Sequence, residues 1–349
     1  MMGRPLEILF IDCTKTPYDG ASMTSGPLRG IQTGTYELSR WLAAHGHRVT
    51  VANAVSRSSE TENVRWIPRA EAAGRKADVV VLNNDAHLFD LAKTALGEGA
   101  LPVLWHHNPF KLKRTMRPRN LAAMLRWRPV GVFLGELQEA GFPRFLPYRD
   151  RLAIRYGVSP TFRTIAPASA PPPPLAIFAS MADRGLAGMI ALWIEHIAPA
   201  VPQAEFHAFI GRDVQTGFAP QILAANRIVL RERLSKHALA EAMRSARVMI
   251  YPGHPEETFC QTAAECLCVG TPIVTRGIGS LRERVRNDVD GFIAPGSADF
   301  AARTIDILRD DALWQRLHEG ALGLRPQFDW SNAVLPWEEL FFRQLRSQP

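Results

Sequence analysis

Residues 251–275 read YPGHPEETFCQTAAECLCVGTPIVT, and the punctuation of this stretch decides the fold. An apolar run from Val248 to Tyr251 is stopped by Pro252 and Pro255. A helical pattern opens near Thr258 and closes at Gly270, and Pro272 leads into the next apolar run. Strand, loop, helix, glycine stop and strand follow in that order. Two carboxylates lie inside, Glu257 before the helix and Glu265 about two turns into it; at about 3.6 residues per turn they share roughly one side. The backbone N–H groups of Phe259, Cys260 and Gln261 come between them. A helix N-terminus favours an anionic phosphate and carboxylates accept from hydroxyls, so the stretch suits hydroxyls, a diphosphate and more hydroxyls in sequence. A nucleotide sugar has that order. Taken alone, two glutamates fit a solvated helix face better, since most acidic residues lie at the surface.

The chain has 349 residues, long for one core and natural for two domains. A hydrophobic fraction of 46% and a charged fraction of 21% are those of a soluble globular protein. No run reaches the roughly 18 apolar residues of a membrane span. The start, MMGRPLEILFIDC, lacks a signal peptide's long apolar region and cleavage site, so LEILFI reads as a buried first strand. Cys13, Cys260, Cys266 and Cys268 make no disulfide framework and fit reduced thiols of a cytoplasm. Cys266 and Cys268 have no second pair at zinc-like spacing, so no metal site is expected. The net charge of +7 and pI near 9.5 imply attraction to something anionic: nucleotide, nucleic acid or an acidic membrane face.

Outward from the centre, strand and helix signals alternate on both sides of a proline-rich segment. In the first half the strands are expected at residues 6–11, 49–52, 79–82, 101–105 and 131–134. A loop rich in Gly, Ser, Thr and Pro runs to Gly30, and a helix follows that ends at His45-Gly46. The second half offers strands at residues 175–180, 206–210 and 228–230 and helices at 185–197 and 235–245. This is the cadence of parallel sheets with crossover helices, whose ligands sit at the carboxyl ends of strands. Domains are therefore placed at residues 1–158 and 175–329, joined by a stiff, extended linker at 159–174. The chain closes in an amphipathic helix over 330–349. His45 and His47, with Gly46 between them, suit a helix C-terminal cap better than a metal pair.

The pattern Glu257-Thr-Phe-Cys, four residues, Glu265, then Gly270-Thr-Pro resembles the signature of the retaining GT-B-fold glycosyltransferases of family four, the glycosyl transferases group 1. Cys260 stands where that family most often has glycine. Arg29-Gly30-Ile31-Gln32 with the helix after it resembles the family's amino-terminal Gly-Gly-x-Gln loop, Arg29 replacing the first glycine. His106-His107-Asn108-Pro109 follows a strand, and in the family a histidine of this loop contacts the transferred sugar; position favours His107 over His106. Tyr156-Gly157-Val158 resembles the domain-junction signature. In SMADRGL, Arg184 stands at the position of the family's phosphate-binding lysine, while the preceding arginine is missing, with Ser180 near its place.

The resemblance implies an α/β, GT-B architecture of two facing Rossmann-like domains with a cleft between them, residues 1–158 taking the acceptor and 175–329 the donor. The carboxy-terminal helix is expected to return to the first domain. The implied activity is transfer of a sugar from a nucleotide-diphosphate sugar to an acceptor hydroxyl, with retention and without a metal, in cell-surface polysaccharide or glycolipid synthesis. His107, Glu257 and Arg184 are the expected catalytic residues; Gly30, Phe259, Cys260, Gln261 and Glu265 are the expected donor-binding ones. No cofactor is expected beyond the nucleotide-sugar substrate. Two other readings stand beside it, a nucleotide-sugar epimerase of the same fold and a non-enzymatic polyanion-binding protein. The densest cationic segment, KLKRTMRPRNLAAMLRWR at residues 111–128, begins at Lys111 and ends at Arg128. It carries no nucleic-acid recognition motif, and its cations interleaved with Leu, Met and Trp suit an anionic membrane surface on the cytoplasmic side, where a lipid-linked acceptor would lie.

Overall fold

A computed structural model describes residues 4–22, 30–211 and 214–347. It divides into two compact units: Met1–Gly157 with Trp330–Pro349, and Val158–Asp329. The first holds β1 (Glu7–Ile11), β2 (Arg48–Asn53), β3 (Ser59–Thr61), β4 (Val64–Pro68), β5 (Val79–Asn83), β6 (Leu101–Trp105), β7 (Val130–Phe133) and β8 (Asp150–Ala153) in one sheet, ordered β3-β4-β2-β1-β5-β6-β7-β8. Every pairing is parallel except β3 with β4. Strands such as VVVLN and LPVLW are buried along their whole length, as a sheet covered on both faces requires.

The hairpin of β3 and β4 was not legible in the sequence. Its turn uses Glu62 and Asn63, both left-handed at φ 51° and 60°. That is type I′ geometry, for which Asn-Gly is the usual signal, and Glu-Asn does not announce it.

The second unit is a six-stranded parallel sheet of β9 (Leu175–Phe178), β10 (Glu205–Phe209), β11 (Ile228–Arg231), β12 (Val248–Ile250), β13 (Ile273–Thr275) and β14 (Gly291–Ile293), ordered β11-β10-β9-β12-β13-β14. Numbered within the unit this is 3-2-1-4-5-6, the doubly wound order. The stretch read as a linker is not extended throughout: it opens with a helical turn, Pro160–Thr164. Pro160 at the first helical position presets φ, and Phe162 is fully buried. The helix expected at 185–197 is α-helical over Leu186–Leu192 and widens to a π turn at Trp193–Ile197.

The terminal helix Trp330–Arg346 lies in the first unit. Trp337 is buried edge-on against Trp105 of β6, their ring centres 4.9 Å apart. His45 Nδ1 and His47 Nε2 both meet Glu338 Oε1 at 3.0 Å, and His47 Nδ1 accepts from the Leu6 N–H at 3.1 Å. Arg343 and Gln344 donate to Asp150 at 2.8 and 2.9 Å. The histidine pair expected as a helix end thus also receives the last helix. Trp337→Ala should destabilise the first unit by about 3–5 kcal/mol, read as an early transition in denaturant monitored by circular dichroism.

Candidate functional site

In each sheet the build reverses once, between β1 and β5 and between β9 and β12, and the carboxyl ends of strands at such a point open a crevice. In the second unit the loop after β9 carries Arg184 and the loop after β12 carries Tyr251 and Glu257. The Arg184 guanidinium pairs with Glu257 Oε1, and the Tyr251 hydroxyl donates to the same oxygen at 2.9 Å. Burial works against charge on Arg184, but Glu257 and Tyr251 outweigh it and hold the guanidinium above its ordinary value. Burial, then Glu257, also pushes the Tyr251 phenol far above its usual range, so it stays a donor.

The backbone under Glu257 is fixed both within its own loop and from the loop after β13. Glu257 N donates to His254 O at 2.9 Å, and Ser280 N donates to Glu257 O at 3.0 Å. Gly279 is left-handed, φ 62°, and a Cβ there would come within 2.3 Å of His254 O. Gly185, φ 100°, lets the β9 loop approach Pro252 so closely that a Cβ would sit 2.7 Å from its ring. Two loops from adjacent strands therefore touch only because glycine stands at these points.

The helix Gln261–Cys268 starts later than the sequence suggests, because Cys260 caps it in a left-handed conformation, φ 57° and ψ 73°. This explains glycine at the equivalent place in the resembled family: the position needs positive φ, and cysteine adopts it at a cost of about 1–2 kcal/mol. Phe259 is buried beneath Arg284, whose guanidinium lies 4.1 Å from the ring centre and whose Nε donates to Phe259 O at 3.2 Å. Further along, Glu265 is buried; burial pushes its carboxyl up to about 7, against the pull of Lys236 and a hydrogen bond from Gln261.

In the first unit His107 is buried, with Nε2 on Asn83 Oδ1 at 2.9 Å and Nδ1 on the Tyr156 hydroxyl. Asn83 Nδ2 donates to Thr35 at 2.8 Å, so Asn83 Oδ1 accepts and the His107 proton resides on Nε2. Burial drives its pKa well below the ordinary value, which keeps it neutral. His106 is likewise buried, stacked on Phe133 and bonded to the Tyr148 hydroxyl at 2.8 Å, its pKa driven down to about 3 by burial and then by Arg151. Both histidines are thus engaged by their own unit. Beside them lies a recess of about 220 Å³, lined by Asn84, His106, Asn108, Lys111 and Arg114 among others. Gly30 is the exposed first residue of the helix Gly30–Ala44. Arg29 lies outside the described residues.

The structure therefore brings together Arg184 and Glu257, to which the sequence gave separate ligand groups, and places His107 and Gly30 in the other unit. Sequence reasoning missed Tyr251, Gly279, Lys236 and Arg284. For Tyr251 the signal was present, a polar-tipped residue closing an apolar strand.

Residues 219–322 match the family model described as glycosyl transferases group 1. A D-inositol 3-phosphate glycosyltransferase of Xylanimonas cellulosilytica is 29% identical over 133 residues, a match that spans 38% of this chain and only 32% of that relative. Among solved structures, a glycosyltransferase from Rickettsia africae superposes with TM-score 0.74 at 14% identity, covering 99% of this chain and all of the other. Anabaena HepE in complex with UDP and glucose gives TM-score 0.70 at 13% identity, covering 98% of this chain and 100% of the other. At such identities the structural likeness speaks for the fold. Residues 219–322 thus resemble the glycosyl transferases group 1 family, in a chain with the GT-B fold.

Proposed function

We propose that the protein is a retaining glycosyltransferase that moves a sugar from a nucleotide-diphosphate sugar to an acceptor hydroxyl. The observation that carries this reading is the meeting of Arg184, Tyr251 and Glu257 at the switch point of the family-matched unit, one helix start away from buried Glu265. Glu265 takes the ribose hydroxyls. Glu257 keeps Oε1 on Arg184 and Tyr251, and among the described residues Oε2 has no hydrogen-bond partner, so that oxygen is offered to the sugar hydroxyls. Arg184 has five N–H donors, enough to hold Glu257 and still meet a diphosphate oxygen. With the amides of Phe259, Cys260 and Gln261 it stabilises charge growing on the leaving diphosphate, an electrostatic contribution in place before the reaction begins. That the Anabaena structure contains UDP and glucose supports the donor class.

No helix among the described residues is long and apolar enough to cross a membrane. The acceptor is a saccharide or a lipid-linked molecule, reached from the cytoplasmic face through residues 111–128. There Leu112 and Leu125 are 61% and 60% exposed beside exposed Lys113, Arg117 and Arg119, whereas Arg114 is committed to Asp85.

Glu265→Gln should weaken binding of a nucleotide sugar about 10- to 100-fold, the loss of a charged hydrogen bond of roughly 1.5–3 kcal/mol, whereas Glu257→Gln should chiefly lower turnover. Calorimetry and steady-state kinetics separate the two, and wild-type behaviour in both variants would sink the assignment. Affinity should also rise with pH through about 7 as Glu265 ionises. Its carboxyl titrates near 4.5 when unfolded and near 7 when folded, so folding takes up a proton between those values and stability falls as pH rises through that window. Glu265→Gln should therefore unfold at a higher temperature than wild type above pH 7. Because Arg184 and backbone amides meet the diphosphate charge, transfer should survive EDTA; loss on chelation with rescue by Mg²⁺ would contradict it. Co-sedimentation with anionic vesicles should fall with salt and be lost in the combined K113S, R117S and R119S variant, each cation contributing about 1 kcal/mol near the surface.

A further inference from the structure

The loops after β5 and β6 line the recess of about 220 Å³ in the first unit, and their hydrogen bonds leave several donors over. Asn84, left-handed at φ 63°, turns the chain at the end of β5, and its Oδ1 accepts from the His107 N–H at 2.9 Å and the Asn108 N–H at 3.3 Å. Two backbone donors identify that atom as the oxygen, so the Nδ2 amide is the end left without a partner among the described residues. The histidine expected to face a ligand, His107, has both ring nitrogens bonded inside its own unit; the one that lines the recess is His106. Its Nε2 meets the Tyr148 hydroxyl at 2.8 Å. That buried hydroxyl has no other partner among the described residues, so it donates to Nε2, and the ring proton stays on Nδ1, unpartnered. Arg114 gives Nε and Nη2 to Asp85 at 3.0 and 2.5 Å and keeps Nη1 over. Lys111 brings a second cation to the same recess.

None of the described residues lining the recess is acidic, and the Asp85 carboxylate already has both oxygens on Arg114. A site for sugar hydroxyls needs carboxylates to accept from them. This one offers amide, imidazole, guanidinium and ammonium N–H groups, the complement of an anion that only accepts. A carboxylate presents two oxygens in one plane, whereas donors from residue 84, residue 106 and the 111–114 segment suit the tetrahedral oxygens of phosphate. A metal ion would be repelled by the two cations. We propose that this recess binds the phosphoryl group of a phosphate monoester through Asn84, His106, Lys111 and Arg114. The site stands apart from the closed network of Asn83, Thr35, His107 and Tyr156, and uses none of the exposed cations Lys113, Arg117 and Arg119. It rests on the glycosyltransferase reading only in making that group part of the acceptor, which would then be a phosphorylated molecule, soluble or lipid-borne.

The test uses the full chain as wild type, N84D and K111S. N84D keeps an oxygen for the two backbone N–H groups and puts a negative charge where the amide donor stood; Lys111 is exposed, so K111S leaves the packing alone. Inorganic phosphate is titrated into each protein with UDP present, and binding is followed by line broadening in phosphorus NMR. N84D should weaken phosphate binding more than about 10-fold, since like charges at hydrogen-bond distance repel. K111S should weaken it about 2- to 5-fold, the effect of an exposed charge. Calorimetry should give all three proteins the same affinity for UDP. Equal phosphate affinity in wild type and either variant overturns the proposal, as does a wild type that binds no phosphate. Should N84D melt lower or lose UDP affinity, K111S alone decides. Displacement of phosphate by glycerol phosphate assigns a soluble acceptor, and displacement only by vesicles containing phosphatidic acid assigns a lipid-borne one. Displacement by neither, or equally by phosphatidylglycerol vesicles that carry only a diester, overturns the site. If wild type binds phosphate in this way but no nucleoside diphosphate, the glycosyltransferase reading falls and the phosphate site stands; UDP binding without phosphate binding sinks this proposal alone.

Discussion

The strand order of the second sheet is the constraint on which the site depends. Because β10 and β11 lie to one side of β9 and β12 to β14 to the other, β9 and β12 are neighbours and the loops leaving them meet at the sheet's one reversal. Arg184 comes from one loop and Glu257 from the other, 73 positions apart in the chain, and only this reversal brings them together. The same carboxylate oxygen then takes Tyr251 from the strand end itself. A carboxylate held by two donors on one oxygen has its second oxygen aimed by the fold, with little left to order when a ligand arrives.

That arrangement has a backbone cost, carried by a few residues. Gly185 and Gly279 adopt positive φ where any side chain would meet Pro252 or the His254 carbonyl, so both loops are fixed in position by contacts only glycine permits. Cys260 adopts positive φ without being glycine and is buried while doing so. Non-glycine residues in that region are held there by surrounding structure, and here Phe259 beside it is locked under Arg284. Strain at the start of a helix that presents backbone donors is consistent with function outweighing local stability at that point.

Much of this was legible, and the limits were physical. Apolar runs bounded by glycine and proline marked most strands to within a residue or two, because strands buried on both faces must be continuously apolar. The β3–β4 hairpin was illegible because Glu62-Asn63 performs a turn normally signalled by Asn-Gly, and β14 is only three residues long. In the candidate site, Glu257 and Glu265 could be read from spacing within one stretch. The pairing of Glu257 with Arg184 could not, since Arg184 belongs to another element and what joins them is strand order, which no local pattern encodes. His107 shows the converse. A histidine after a strand reads as a ligand contact, yet its environment depends on Asn83, Tyr156 and Gly34, whose missing side chain makes room for the tyrosine ring.

The two units treat their polar groups in opposite ways, and the contrast says where binding energy is available. At the first sheet's switch point Asp12 accepts from Thr14 N, the Thr14 hydroxyl and Tyr18 at 3.0, 2.9 and 2.6 Å, and Asn83, Thr35, His107 and Tyr156 close a network among themselves. A ligand hydrogen-bonding there must first break bonds already made, so its net gain is small. In the second unit burial raises the Glu265 carboxyl to about 7, so a ligand that donates to it relieves a cost the fold already bears. Groups left unsatisfied in the free protein contribute most on binding, because nothing is lost when they are met. Under the proposed function, tight recognition would on that ground fall to a nucleotide in the second unit, while the first unit, with its polar groups at the switch point already paired, would suit weaker contacts with an acceptor that must arrive and leave on every turnover.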